Sequence, residues 1–200
     1  MQHVDTLIEA RWVIPVAPIG VELENHTVAV RDGQIVALCP TADARDEFTA
    51  TERIELPSHV LTPGFVNAHT HAGMSLMRGM ADDIPLMEWL SQHIWPAESR
   101  VVNEKFVADG TRLAAAEMLR GGTTCFNDMY FFPGEAARAA ADIGIRAVVG
   151  LIVLDFPTAW ATDANDYILR GIAVHDETRH LDLVTTAWAP HAPYTVSDGP

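Results

Sequence analysis

From residue 4 to about 56 the chain alternates short apolar runs with turns: TLIEARWVIPV, HTVAVRDGQIVALCP and ERIELP, with a Pro-Gly turn region at 18 to 20. Asp32-Gly33, set between TVAV and QIVAL, predicts a tight hairpin, because such a turn needs residues that accept positive φ. Residues 1–56 therefore read as a small β unit. After Pro57 the rhythm becomes strand, loop, helix. HVLTPGFVN is an apolar run that leads into the polar residues Asn67 to His71. In PLMEWLSQHIW, the residues Leu86, Trp89, Leu90, His93 and Ile94 share one helical face, with Pro85 suited to the first turn and Pro96 expected to stop the helix. A second helix is predicted from Asn103, as N-cap, to Gly121-Gly122. TTCFND, RAVVGLIVLD and LDLVTTAWAP read as further strands, GEAARAAADIG and DANDYILRGIAVHDET as helices.

Four strands alternating with helices, each strand a near-continuous apolar run, predict an α/β fold with a parallel sheet over residues 57–200. Polar residues recur where these strands end: Asn67 to His71, Asn127-Asp128, Asp155 and His191. In a β/α barrel the active site collects at the C-terminal ends of the strands, so this recurrence favours a barrel over an open doubly wound sheet. No GxGxxG follows any strand, which argues against dinucleotide binding.

The strand end NAHTH carries the sharpest chemistry. Residues i and i+2 of a strand project to one face, so His69 and His71 can grip one ion, and neutral imidazoles suit zinc or another borderline divalent metal. Read alone, the pair is more often two polar residues at a partly exposed strand end than a metal site. A catalytic zinc also needs about three protein ligands plus water, so two histidines are an incomplete set.

Composition narrows the partners. The chain is 48% hydrophobic and 20% charged, an ordinary globular balance, with a formal charge of −14 that disfavours nucleic acid or an anionic membrane. No uncharged apolar stretch approaches the roughly 18 residues of a membrane span, and the N-terminus lacks the basic and apolar regions of a leader, so a cytoplasmic location is expected. Cys39 and Cys125 lack ligand spacing and read as reduced core thiols. Lys105 is the only lysine.

The run PGFVNAHTH, preceded by a β-rich segment, resembles the first barrel strand of the amidohydrolase superfamily. MSLMRGMADDIPLMEWLSQHIWPAE, GGTTCFNDMYFFP and PHAPYTVSD are similar to its deaminase and chlorohydrolase branch, and within it to the 5′-methylthioadenosine/S-adenosylhomocysteine deaminases. The resemblance implies a metal-dependent hydrolase (β/α)8 barrel, here about its first four βα units, joined to the N-terminal part of a small β-sandwich domain. It implies His69 and His71 as zinc ligands, Glu98 as the carboxylate that takes the ribose hydroxyls, and His191 as a substrate contact near the metal. Without it, Glu98 reads as a solvated carboxylate, and His191 equally as a hydrogen-bonded strand-end histidine or a substrate contact. Trp89, Trp95, Met74 and Met77 could wall a purine or thioether, although the helical spacing of Trp89 favours core packing. Asn127 and Asp128 are expected to secure loops through local hydrogen bonds, and Asp155 to serve a turn or the mouth of the site.

The activity implied is zinc-dependent hydrolytic deamination of an adenine ring in a small nucleoside, with ammonia released. One zinc per subunit is expected, since the bridging lysine of binuclear relatives lies on a strand and Lys105 is placed near a helix start. The stretch VVGLIVLD lacks the arginine that some relatives use for a carboxylate-bearing tail, which favours a shorter thioether nucleoside over S-adenosylhomocysteine. Guanine deaminase and triazine chlorohydrolase activities, or a metal-free interaction protein on the same fold, are the other readings. The family's general acid/base glutamate and remaining metal ligands are expected beyond Pro200. No catalytic residue is therefore assigned within these residues, the 200-residue piece alone is expected to be inactive, and the full-length protein is expected to be a homo-oligomer.

Overall fold

The hairpin signal at Asp32-Gly33 is realised with both residues at positive φ, 52° and 71°, joining β2 (Leu23–Arg31) to β3 (Gln34–Pro40). A computed structural model describes residues 1–200, and the chain divides into two compact units, Met1–Pro63 and Gly64–Pro200. In the first unit, β1 (Gln2–Val13) pairs antiparallel with β2 and parallel with β4 (Phe48–Leu61), giving one four-stranded sheet ordered β3-β2-β1-β4. A short helix, α1 (Thr41–Glu47), lies between β3 and β4. It was not apparent from the alternation of apolar residues, because it buries only Ala44. Ala44 packs with Val4, Leu7, Ala29 and Phe48. Glu9 is a buried carboxylate in this unit and accepts hydrogen bonds from Arg45, at 2.7 Å, and from Arg53. Burial pushes its carboxyl up, but the two guanidinium groups outweigh that and hold it below the usual range.

The second unit carries a parallel sheet in the order β5 (Phe65–Thr70), β6 (Thr123–Met129), β7 (Arg146–Val153) and β8 (Val184–Pro190). Strands in sequential order with helices between them are the βα repeat that the sequence predicts. His59 to Leu61, which the sequence groups with the run leading to His69, instead belong to β4, and β5 starts only at Phe65. β5 is followed by a 3-10 turn, Ala72–Met77. Helix α4 (Glu104–Arg120) starts as expected, with the Asn103 side chain accepting from the Phe106 amide at 3.0 Å, and ends at Gly121. Helix α5 (Pro133–Ile143) buries four alanines, and that small-residue face lets it pack closely on Phe126, Ala147 and Val149. Helix α6 (Ala164–Thr178) is capped by Asp163, and its Tyr167 is fully buried against Trp160.

The helix predicted to stop at Pro96 does not stop there. Helical backbone runs through α2 (Leu86–Glu88), a π turn (Trp89–Ile94) and α3 (Trp95–Val101). The Trp95 amide donates to the Leu90 carbonyl, one residue further back than in an α-helix. Proline normally breaks a helix by removing an N–H and crowding the carbonyl four residues back. Here the widened turn lies just before it, and Pro96 falls in the first turn of α3, where a missing donor costs least. The consequence is functional, because Glu98 is carried on a helix three residues after Trp95, on the same face.

Candidate active site

The histidine pair sits at the end of β5, and the strand alternation directs both rings to one side. Their Nε2 atoms are 3.3 Å apart, with the rings set edge to face at 84° and centroids 5.0 Å apart. His71 donates from Nδ1 to the carbonyl of Met129 at 2.6 Å. A carbonyl can only accept, so that bond places the proton on Nδ1 and leaves a lone pair on Nε2. Two convergent ring nitrogens at this distance require either a shared proton or a cation between them. Two nitrogens each about 2.0–2.1 Å from one tetrahedral ion would lie roughly 3.3 Å apart, so the donor set and its spacing fit zinc. No group of three or more His, Cys, Asp or Glu side chains converges in the structure, so the site offers a metal the two imidazoles.

The end of β6 holds this pair in place. Asp128, 1% exposed, accepts from the Ala72 amide at 2.6 Å and from the Thr70 hydroxyl at 2.8 Å. Burial pushes its carboxyl up, and the Ala72 and Thr70 donors oppose that in part. The Asn127 amide donates to the Ala68 carbonyl at 3.1 Å, across a stretch where the β5–β6 register shifts. These bonds tie one strand to the next, over more than fifty residues of sequence, rather than securing their own loop as expected. A register irregularity of this kind re-aims side chains at a strand end, here the two histidines.

Beside the pair lies a cavity of about 380 Å³ whose polar wall includes His71, Glu98, Tyr130 and His191, and whose apolar wall includes Trp89, Trp95 and Phe156. Three of the four residues singled out from the sequence thus border one space, and His69 meets it through His71. Glu98 Oε1 accepts from the Tyr130 hydroxyl at 2.7 Å. Burial pushes the Glu98 carboxyl above the usual range, with the Tyr130 bond and nearby His71 acting the other way. Burial and then the Glu98 charge push the Tyr130 phenol well up, so it stays a donor. His191 meets the Thr195 hydroxyl through Nδ1 at 2.9 Å, and that hydroxyl donates to the Ala192 carbonyl. Nδ1 is therefore the protonated nitrogen, leaving Nε2 as an acceptor. Burial, and secondarily His71, lower the His191 pKa and favour the neutral ring.

Trp89 lines the cavity, with its indole N–H donated to the Ala81 carbonyl at 3.0 Å, rather than packing wholly in the core. Met74 also lines it. Asp155 accepts from the Ser197 amide at 2.7 Å and so ties down the segment that carries Thr195. Lys105 is far from this chemistry in kind: it is exposed on α4 and paired with Asp109. Cys39 and Cys125 are free and half-buried. Tyr130 escaped the sequence reading. Its only signal was its place two residues after Asp128, at a strand end already rich in polar groups.

The sequence profile described as Amidohydrolase family matches residues 60–199, which is more than half of the chain. The chain belongs to the amidohydrolase family. This amidohydrolase is 52% identical, over 98% of its length, to a protein of Saccharophagus degradans named 5-methylthioadenosine/S-adenosylhomocysteine deaminase, of which it covers 44%. It superposes with a TM-score of 0.95 and 54% identity on an adenosine deaminase from Xanthomonas campestris crystallised with bound zinc, covering 98% of this chain and 45% of that one. The guanine deaminase of E. coli, 18% identical with a TM-score of 0.83, shares the fold. The chain thus spans a little under half the length of the relatives it matches, and its second unit has the fold of part of a metal-dependent hydrolase barrel. No helix is long and apolar enough to cross a membrane.

Proposed function

We propose that this amidohydrolase serves the zinc-dependent hydrolytic deamination of the adenine ring in 5′-methylthioadenosine, S-adenosylhomocysteine or adenosine, giving the inosine analogue and ammonia. The observation that carries the reading is the convergence of the His69 and His71 Nε2 atoms, 3.3 Å apart, at the edge of a cavity that also holds the half-buried carboxylate of Glu98. The zinc-bound, 54% identical structure supports zinc as the ion.

His69 and His71 would hold one zinc, with His71 aligned by the Met129 carbonyl. When bound, the metal supplies Lewis acidity and activates water at neutral pH. Glu98 accepts the ribose hydroxyls, for which an ionised carboxylate, acceptor only, is the fitting partner. His191, neutral and with Nε2 bare, accepts a hydrogen bond from the substrate. Trp89, Trp95 and Phe156 exclude water and offer flat, polarisable surface to a purine or a thioether. No Arg or Lys borders the cavity, which supports an uncharged 5′ substituent over a zwitterionic tail. Lys105, exposed on a helix, supports a single metal rather than a lysine-bridged pair.

Ribose recognition also sets this reading apart from guanine and triazine hydrolysis, whose substrates bring no diol for Glu98. Ammonia release from 5′-methylthioadenosine, S-adenosylhomocysteine, adenosine and guanine, with and without zinc, tests the proposal on the full-length protein. Zinc-dependent release from the nucleosides, strongest with the thioether, is expected. Release from guanine alone, or none from any nucleoside, would overturn it. We place the protein in the cytoplasm on the strength of its free thiols, with a small nucleoside as its partner.

A further inference from the structure

Three consecutive residues at the end of β6 and just past it, Asp128 to Tyr130, do three separate jobs. Asp128 fixes the backbone at Thr70 and Ala72, the Met129 carbonyl orients His71, and the Tyr130 hydroxyl meets Glu98. The first two bonds serve the histidine pair. The third serves the carboxylate on the other wall of the cavity, and nothing in the proposed chemistry uses the phenol.

Tyr130 is 5% exposed, its ring lies against Phe131 with centroids 4.9 Å apart, and the backbone turns into α5 through a left-handed Phe132, φ 52°. The phenol is thus held in place by packing before it meets Glu98. Its one hydroxyl hydrogen goes to Oε1, while Oε2 makes no hydrogen bond within the protein. Glu98 sits on a helix, with three side-chain torsions to fix, and it borders the cavity. Left alone, such a chain would sample several rotamers.

We infer that Tyr130 is a positioning residue for nucleoside recognition: its hydroxyl anchors Glu98 Oε1 so that the remaining acceptor sites of the carboxylate are preset for a ribose diol. The inference rests on Glu98 as the ribose acceptor. It assigns ribose selectivity to a two-residue device, a buried phenol just after β6 and a carboxylate on α3, in which only the carboxylate touches substrate.

The test uses the zinc-loaded full-length protein with Tyr130→Phe, Glu98→Ala and the double variant, each with adenosine and with 2′,3′-dideoxyadenosine. Tyr130→Phe should raise KM for adenosine about tenfold, the scale of a lost charge-assisted hydrogen bond, with kcat within about twofold. KM for the dideoxynucleoside should not change, and in the Glu98→Ala background Tyr130→Phe should have no further effect. Dissociation constants from calorimetry read the same ratio independently of turnover. A partly unfolded variant would affect both nucleosides alike, so the ratio separates positioning from loss of fold. Equal effects on the two nucleosides, or full additivity with Glu98→Ala, would overturn the inference while leaving the deaminase reading intact. If Glu98→Ala itself failed to discriminate between the nucleosides, the ribose role of Glu98 would fall and the inference with it.

Discussion

The Nδ1 of His71 lies 2.6 Å from the carbonyl oxygen of Met129, and this one bond decides which nitrogen of the ring is free. Because the partner is backbone, no side-chain substitution at residue 129 removes it. A hydrogen-bond partner of this kind would orient a metal-binding imidazole and raise its basicity. The ring is therefore aligned without a metal, with its Nε2 3.3 Å from that of His69.

Zinc affinity follows directly. Asp128→Ala removes the acceptor for the Ala72 amide and the Thr70 hydroxyl, and should weaken zinc binding roughly 10–100-fold, as outer-shell losses do. On the proposed assignment each of His69→Ala and His71→Ala deletes a ligand and should weaken it more. Competition against a chromophoric chelator ranks the three, and equal affinity in all of them would show that the metal sits elsewhere.

Gly110 presses against the turn that follows His71. A Cβ at this position would meet the carbonyl oxygen of Gly73 at 2.3 Å and its Cα at 2.9 Å, and backbone cannot swing away as a side chain can. Gly110→Ala should destabilise by about 1–3 kcal/mol, the usual scale of overpacking, visible as a lower midpoint in urea. The same variant should loosen zinc, because the displaced turn begins at Ala72. Unchanged stability would mean that α4 and the turn can separate freely.

Glu9 gives the first unit an acid-sensitive point. Its folded pKa lies below the ordinary value, so the unfolded chain binds the proton more readily, and stability rises with pH across that window. The contribution is complete above the unfolded pKa of about 4.3 and is lost as pH falls through the lower folded value. Amide exchange in β1 and β4 should accelerate below about pH 4, and Glu9→Gln should flatten that dependence. Identical profiles for both proteins would contradict the assignment.

Glu98 works with the opposite sign. Burial raises its folded pKa, so it keeps its proton at a pH where a free glutamate is ionised, and ionisation subtracts from stability as pH rises through the raised value. The charged form is also the one that accepts two hydroxyls. Adenosine affinity should therefore strengthen as pH rises through a value above about 4.3, whereas dideoxyadenosine affinity should not follow that titration. Parallel curves for the two would remove Glu98 from ribose binding.

How far the sequence reveals this site depends on the range of each interaction. His69 and His71 are legible because strand alternation is local and two residues apart. Asn103 is legible as a cap for the same reason, meeting an amide three residues on. Pro96 misled because whether a proline breaks a helix depends on the hydrogen-bond register before it, and the π turn at Trp89–Ile94 leaves no mark in the apolar pattern. Helix α1 was missed because a single buried alanine gives no periodicity. Tyr130 and the true partners of Asp128 were hidden by distance along the chain: thirty-two residues separate Tyr130 from Glu98, and fifty-six separate Asp128 from Ala72. The β5–β6 pairing brings Asp128 to Ala72, and the placement of α3 brings Glu98 to Tyr130.

The central claim is that the histidine pair supports deamination of a thioether nucleoside. Its most direct test is ammonia release from 5′-methylthioadenosine by the zinc-loaded full-length protein and by its His71→Ala counterpart. Stoichiometric conversion to the inosine analogue, abolished by the substitution and by chelation, is the result expected. Absence of ammonia from the zinc-loaded unsubstituted protein, or undiminished release without His71, would contradict the account.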